Sequence, residues 1–438
     1  MTQTIKTARP SRISKTFRAL RHRNYQLWFF GQGISLIGTW MQTMAQQVLV
    51  YDLTGSAAAL GVVSLIGLIP LIPLSFLGGS ISDRFPKRNV LLITQSVMLI
   101  EALILAVLCW TDVIEVWHVY VLSFILGCAN AVDLPARQAF TVDMVEGKED
   151  LTNAIGLNSA MFNGARAIGP AMAGLIVAIT GVGTAFFING LSFVAVMISL
   201  LLMRNLPKPL VKENEETNTL KHMGEGVRFM VSQNAVKVLM SLIAVSAFLS
   251  MPYNTLMPVF AEKTLAESAQ PVINAICGSS NQVLSCESPE ALPLGILLTS
   301  VGTGALIGAL IIASLSETAH RGKLLTIGNL LFPAALVVFS LSQSFILSVI
   351  IMLVVGFSFV WQNALANTLL QLIVPDELRG RVMGFYTMTF QGMMRLGGMQ
   401  AGLMGDWLGA PFAVGIGALI SLIFGGFVAV RYPVIRKL

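Results

Sequence analysis

Four ionisable side chains lie well inside apolar stretches of this chain: Glu101, Asp133, Arg166 and Arg395, with Arg137 one helical turn beyond Asp133. A carboxyl group held away from water can take up and release a proton as its surroundings change. A buried charge also needs a partner, because leaving one unpaired is costly. Arg166 is long enough to reach Asp133, so an Asp133–Arg166 pair is the expected arrangement. The competing reading pairs Asp133 with Arg84, Lys87 or Arg88. Glu101 has no adjacent base, and burial favours its neutral form, as a proton carrier requires; a hydrogen-bonded structural Glu is the alternative. No nucleophile–base pair, metal-ligand cluster or phosphate-binding glycine loop is present in the sequence. His22, His118, His222 and His320 are scattered over loops and the edges of apolar runs. An enzyme is therefore disfavoured, and neither cofactor nor metal is expected.

Amide and aromatic side chains recur at helical spacing in the same stretches. One group is Trp40, Thr43 and Gln47, beside Gln42 and Gln46; others are Asn130 with Asp133 and Arg137, and Ser159 with Asn163 and Arg166. A further group is Trp361, Gln362, Asn363, Asn367 and Gln371, and Tyr253 and Asn254 sit between Pro252 and Pro258. Polar groups are costly in hydrocarbon and face a bundle interior or a watery path. They can line a route for a bulky, partly apolar small molecule, or simply join helices at ~0.6 kcal/mol each.

The elements carrying these residues are membrane helices. The chain is 438 residues long, 55% hydrophobic and 11% charged, with mean hydropathy +0.76; soluble domains carry about 25% charged residues. Twelve apolar runs reach the ~20 residues needed to cross a bilayer: 26–50, 57–81, 89–110, 118–140, 151–179, 184–203, 236–257, 294–315, 324–342, 346–372, 382–408 and 411–432. The net charge of +6 is an orientation signal and calls for no nucleic acid. Of the 28 Lys and Arg, only Lys263 falls in a loop on the face opposite the N-terminus. Positive-inside bias then puts both termini in the cytoplasm of a multi-pass inner-membrane protein. The first apolar run lacks a cleavage pattern and is expected to stay as the first span.

Boundaries follow from the charges: a basic tail at 1–24, a six-helix half at 25–203, a linker at 204–235, a second half at 236–432 and a tail at 433–438. A surface helix is expected at Leu220–Val231, with Met223, Val227 and Met230 on its apolar face. The halves keep traces of a repeat. Phe162-Asn163-Gly164, Ile168-Gly169-Pro170 and Ala173-Gly174 return as Phe390-Gln391-Gly392, Leu396-Gly397-Gly398 and Ala401-Gly402, and Gly127 corresponds to Gly356. Cys109 and Cys128 fall in spans. Cys277 and Cys286 lie in the long outer loop, where an oxidising face permits a disulfide; two free thiols are the open alternative.

Between the second and third runs stand Gly79, Asp83, Arg84, Pro86, Lys87 and Arg88. Their spacing resembles the loop between helices 2 and 3 of the major facilitator superfamily. That resemblance implies two parallel six-helix bundles, a cavity lined by helices 1, 4, 7 and 10, and a gate latched by this loop, with Asp83 facing the start of helix 11 near Val382. Asn130-Ala-Val-Asp133-Leu-Pro135-Ala-Arg137, Ala165-Arg166-Ala-Ile168-Gly169-Pro170 and Val374-Pro375 through Gly384 are similar to the branch of enterobactin exporters and macrolide efflux pumps. Gly156, Gly169, Pro170 and Gly174 approximate that superfamily's antiporter motif, with Ala165 and Ala173 replacing glycines. Ser123 stands where proton antiporters commonly carry an Arg, and the half-motif before the ninth run is reduced to Glu317, His320, Arg321 and Lys323. The resemblance implies a monomeric, proton-coupled exporter of an amphiphilic small molecule such as a siderophore or antibiotic. A lysolipid flippase and a transporter-like sensor are the rival readings.

Overall fold

The computed structural model describes residues 17–71, 73–74, 84–207, 228–278, 286–314, 320–433 and 436. Gly79, Asp83, Glu317 and most of the expected surface helix fall outside them; of that helix, 228–231 are helical. Membrane helices are α1 (Arg23–Thr54), α2 (Ala57–Leu68), α3 (Lys87–Trp110) and α4 (Val116–Asp143). A single helical stretch, Lys148–Leu202, holds both α5 and α6. It folds back at Gly181, whose φ of 75° is readily adopted only by glycine. The second half contains α7 (Asn234–Thr264), α8 (Ala291–Ser314), α9 (Arg321–Leu341), α10 (Phe345–Ile373), α11 (Asp376–Leu408) and α12 (Ala410–Arg431).

Among the described residues eight helical stretches are long and apolar enough to cross a membrane, and Glu149–Leu202 is over twice the needed length. The helices α1 and α11 are not among them. Their amides and charges lower their hydropathy, which is expected of helices facing a polar path. Large apolar side chains such as Ile93, Ile346 and Val430 stay exposed, more than half of each uncovered. Patches of this kind suit lipid rather than water.

The repeat is visible in the packing. A Cβ on Gly127 of α4 would meet the Gly67 carbonyl of α2 at 2.5 Å, and one on Gly356 of α10 the Val301 carbonyl of α8 at 1.9 Å. Each glycine lets the fourth helix of its half touch the second. Helix α7 carries two π-turns, Ser246–Ser250 and Phe260–Thr264, around Pro252 and Pro258. Prolines remove backbone donors and disturb the regular ladder, and π-turns cluster at functional positions.

The two bundles meet along α5–α8 and α2–α11, and among the described residues their shared core lies at one end. Away from the termini a single apolar core runs through both, from Met44 and Tyr51 to Leu256, Phe260, Leu297 and Ala401. Gly174 and Gly295 bring α5 and α8 close there: a Cβ on Gly295 would lie 2.7 Å from the Gly174 Cα. On the side of the termini each bundle has its own core. One gathers Trp28, Leu91, Phe140 and Leu157; the other gathers Val236, Leu325, Leu369 and Tyr386. Among the described residues the bundles therefore part toward the termini, leaving a cleft between them.

Candidate functional site: the apex of the cleft

Arg166 of α5 sits where the shared core ends and the cleft begins. Its guanidinium lies 5.7 Å from the Trp40 ring centroid of α1 and 5.1 Å from that of Phe359 on α10. Cation–π contacts of this kind contribute about 0.5–2 kcal/mol. Trp40 in turn meets Phe162 edge-on at 5.6 Å, and Phe359 faces Phe390 at 6.3 Å. Phe162 and Phe390 are the repeat-related pair, so each bundle brings a phenylalanine from this position to the apex. Tyr253 of α7 is buried beside Arg166, and its hydroxyl completes no hydrogen bond of normal geometry among the described residues. Gln47 Nε2 donates across the divide to the Asn254 carbonyl at 3.4 Å.

The expected Asp133–Arg166 pair is absent, and so is the competing pair with the loop motif. Asp133 is fully buried inside the first bundle and bound by Arg137 of its own helix, whose Nε donates at 2.9 Å. Thr94 Oγ1 and Gln95 Nε2 of α3 donate to its other oxygen at 2.8 and 2.9 Å. The i,i+4 spacing on α4 makes the local Arg the nearest cation, which reaching across from α5 cannot match. Lys87 instead bridges to Asp143 at 2.7 Å, and Arg88 donates to the Leu201 carbonyl at 3.0 Å. Both hold the start of α3 to its own bundle. Arg84 and Pro86 are exposed.

Glu101 is buried and receives a hydrogen bond from Gln42 Nε2 at 2.9 Å; its second oxygen has no partner. Gln42 Oε1 accepts from Asn189 Nδ2 of α6 at 2.6 Å. Gln42 thus points into the first bundle and away from the apex. Gln362 does the same in the second, donating to Asn329 at 2.8 Å and accepting from Ser246 at 3.1 Å. Gln46 joins α1 to α4 through Ser123 at 2.7 Å. Trp361 packs on Phe357 with ring centroids 4.7 Å apart and lies against Gly328 of α9. Asn363 accepts from the Tyr386 hydroxyl of α11, and Asn367 from Gln371 one turn on. Asn130 is half-buried, and Asn163 bonds back to the Ser159 carbonyl at 2.9 Å.

Arg395 crosses from α11 into the first bundle, where its Nη1 donates to the Ser64 carbonyl of α2 at 2.7 Å while Nε stays buried without a partner. The glycine motif of α5 serves close approach. A Cβ on Gly169 would meet the Trp40 Cβ at 2.5 Å, and Pro170 and Gly174 face Gly295; Gly156 faces open space. Cys277 and Cys286 are joined by a disulfide, with Cα atoms 5.6 Å apart.

Two contacts were not read from the sequence. Asp406 at the far end of α11 accepts from Ser56 Oγ at 2.6 Å and from the Ala57 amide at 2.7 Å, holding the start of α2. Ser56 before an apolar run signals a helix start, but pairing it with an acid 350 residues away requires the bundle interface. Asp150, in the first turn of α5, gathers Arg18 at 2.6 Å, Arg21 at 2.6 Å and His22 at 2.7 Å. Arg18, Arg21 and His22, just before α1, are therefore held against the start of α5.

Comparison with known proteins agrees with this architecture. A sequence profile described as transmembrane secretion effector matches residues 14–276 and 284–437. The staphyloferrin A transporter of Staphylococcus aureus (strain NCTC 8325 / PS 47) is 25% identical over 387 residues, covering 87% of this chain and 90% of that protein. Macrolide efflux protein A of Streptococcus pyogenes is 22% identical, covering 89% and 92%. The enterobactin exporter EntS of Escherichia coli O81 (strain ED1a) is 24% identical, covering 91% and 86%. Among solved structures, a POT family transporter in complex with 5-aminolevulinic acid superposes with TM-score 0.72 at 12% identity, covering 94% of this chain and 96% of that one. A bacterial homolog of the human lysosomal transporter Spinster superposes with TM-score 0.63 at 13% identity, covering 98% of each chain. The fold is that of the major facilitator superfamily, and the chain belongs to its transmembrane secretion effector family, as a multi-pass membrane transporter of small molecules and not an enzyme.

Proposed function

We propose that this protein is a proton-driven exporter of an amphiphilic small molecule, captured in a conformation open to the cytoplasm. The observation that carries the reading is the division of the apolar core: one core shared by both bundles away from the termini, two separate cores beside them. Rocking about the apex at Arg166 would exchange the closed and open ends, as alternating access in two-bundle transporters requires. Positive-inside bias of the basic loops supports a cytoplasmic open end. Trp40, Phe162, Phe359 and Phe390 supply apolar area at the apex, and Tyr253, Gln47 and Asn254 supply polar groups beside it. That mixture fits the substrates named for the relatives, a siderophore or a macrolide.

Glu101 is the proposed proton carrier. It has no cationic partner among the described residues, one of its oxygens is free to take a proton, and the hydrogen bond from Gln42 ties it to α1, whose Trp40 is at the apex. Asp133, locked by Arg137, is assigned a structural role. The reading is tested by counterflow in proteoliposomes with siderophores, macrolides and lysolipids. Exchange of a siderophore or macrolide above empty liposomes supports it. Exchange of lysolipid alone, or of nothing in the panel, contradicts it.

A further inference from the structure

The proposed export reading leaves the charge of the substrate open, and the inference here rests on that reading. Arg166 is a cation near mid-membrane, about halfway along α5. Among the described residues no carboxylate lies within ion-pair distance of it. Its neighbours are rings: Trp40 from one bundle and Phe359 from the other, with the buried Tyr253 hydroxyl beside it. Arg395, one residue off the repeat-related position on α11, likewise has no carboxylate, and its Nε is buried without a partner. The two acids well inside the spans, Glu101 and Asp133, are committed elsewhere. Asp133 is taken by Arg137, and Glu101 is turned into the first bundle toward Gln42.

An uncompensated cation inside a membrane is costly and marks a ligand or ion path. Its guanidinium offers a planar fork of donors suited to a carboxylate. We propose that Arg166, with the Tyr253 hydroxyl, binds a carboxylate of the substrate while Trp40 and Phe359 flank its apolar part. Within the export reading the transported class is then narrowed to anionic, carboxylate-bearing amphiphiles, which favours a carboxylate siderophore over a basic macrolide. Because Trp40 and Phe359 belong to different bundles, such a ligand contacts both and is placed to bias their rocking.

The test uses three probes with one apolar body: 2-naphthoate, its neutral 2-naphthamide and the cation 2-naphthylmethylammonium. Binding of radiolabelled 2-naphthoate to the full chain in phosphatidylcholine nanodiscs is measured by scintillation proximity, with empty nanodiscs subtracted. Saturable binding is expected, with the cation at least tenfold weaker as a competitor than unlabelled naphthoate. Arg166→Gln should weaken binding at least tenfold, and Arg166→Lys should recover part of it, which a purely structural arginine would not give. The charge preference of the unaltered protein keeps the test decisive even if the Gln variant misfolds. Absent saturable binding, equal competition by the cation, or undiminished binding to a folded Arg166→Gln variant would overturn the proposal. Proteoliposome flux of the same probes separates the two readings. Preferential movement of the cation would leave export standing and remove the anion site. Charge-selective binding with no flux of any probe would keep the site and count against export.

Discussion

The Asp406 carboxylate of α11 accepts a hydrogen bond from the backbone amide of Ala57, the first residue of α2, at 2.7 Å. This contact joins the two bundles at their closed end, where the Ala58 amide adds a second donor at 3.1 Å. A carboxylate at a helix N-terminus satisfies amides that have no intrahelical partner and complements the dipole. The contact exists only while the two bundles are closed there, so it stabilises one conformer alone.

Asp406→Ala should therefore favour opening at this end. Loss of a cap of this kind costs about 1 kcal/mol, which shifts the ratio of conformers by roughly fivefold. Spin labels on Leu53 of α1 and Leu408 of α11 would report the change as more of the longer distance. An unchanged distribution in a folded variant would remove the latch role from Asp406.

Asp133→Asn should destabilise the first bundle by a few kcal/mol, because Arg137 would be left facing a neutral group at a buried site. Arg137 keeps some solvent contact, which places the loss toward the lower end of that range. The double variant Asp133→Asn/Arg137→Gln should melt closer to the parent than either single variant, whereas Asp133→Asn/Arg166→Gln should show additive losses. Thermal unfolding in detergent of the parent and all five variants decides between the two partners.

Gly295→Val should abolish transport without preventing membrane insertion. A side chain at this position meets the backbone of α5 at Gly174, so the bundles could not close at that end. Flux at least tenfold below the parent is expected at normal expression. Normal flux would mean that this approach is not part of the cycle.

Maleimide added from the outer face should label neither Cys277 nor Cys286 until reductant is supplied, because the two are bonded to each other. Labelling of a folded sample without reductant would show the bond to be absent in the membrane.

Much of the fold was legible because membrane helices announce themselves by length and apolarity, and because Gly127, Gly169, Gly356 and Gly397 mark repeated close approaches. The partners of the polar residues were less so. Gln42 and Gln362 sit on helices that line the cleft, yet each turns toward its own bundle, and a helical stripe alone does not fix that rotation. Asp133 was given to Arg166 by reach, whereas the α4 backbone already supplies Arg137 one turn away. The cage around Arg166 needed Phe359, one apolar residue in an apolar run, which carries no sequence signal until α10 and α5 are placed face to face.

The central claim is outward movement of an amphiphile driven by protons, and inside-out membrane vesicles test it most directly. With an acidic interior, vesicles holding the protein should accumulate a siderophore or macrolide above vesicles lacking it, and a protonophore should abolish the excess. Glu101→Gln should lose this accumulation while keeping counterflow without a gradient. Accumulation that survives the protonophore, or full gradient-driven accumulation by Glu101→Gln, would contradict proton coupling through this residue. No accumulation of any substrate that the protein exchanges in counterflow would contradict driven export itself.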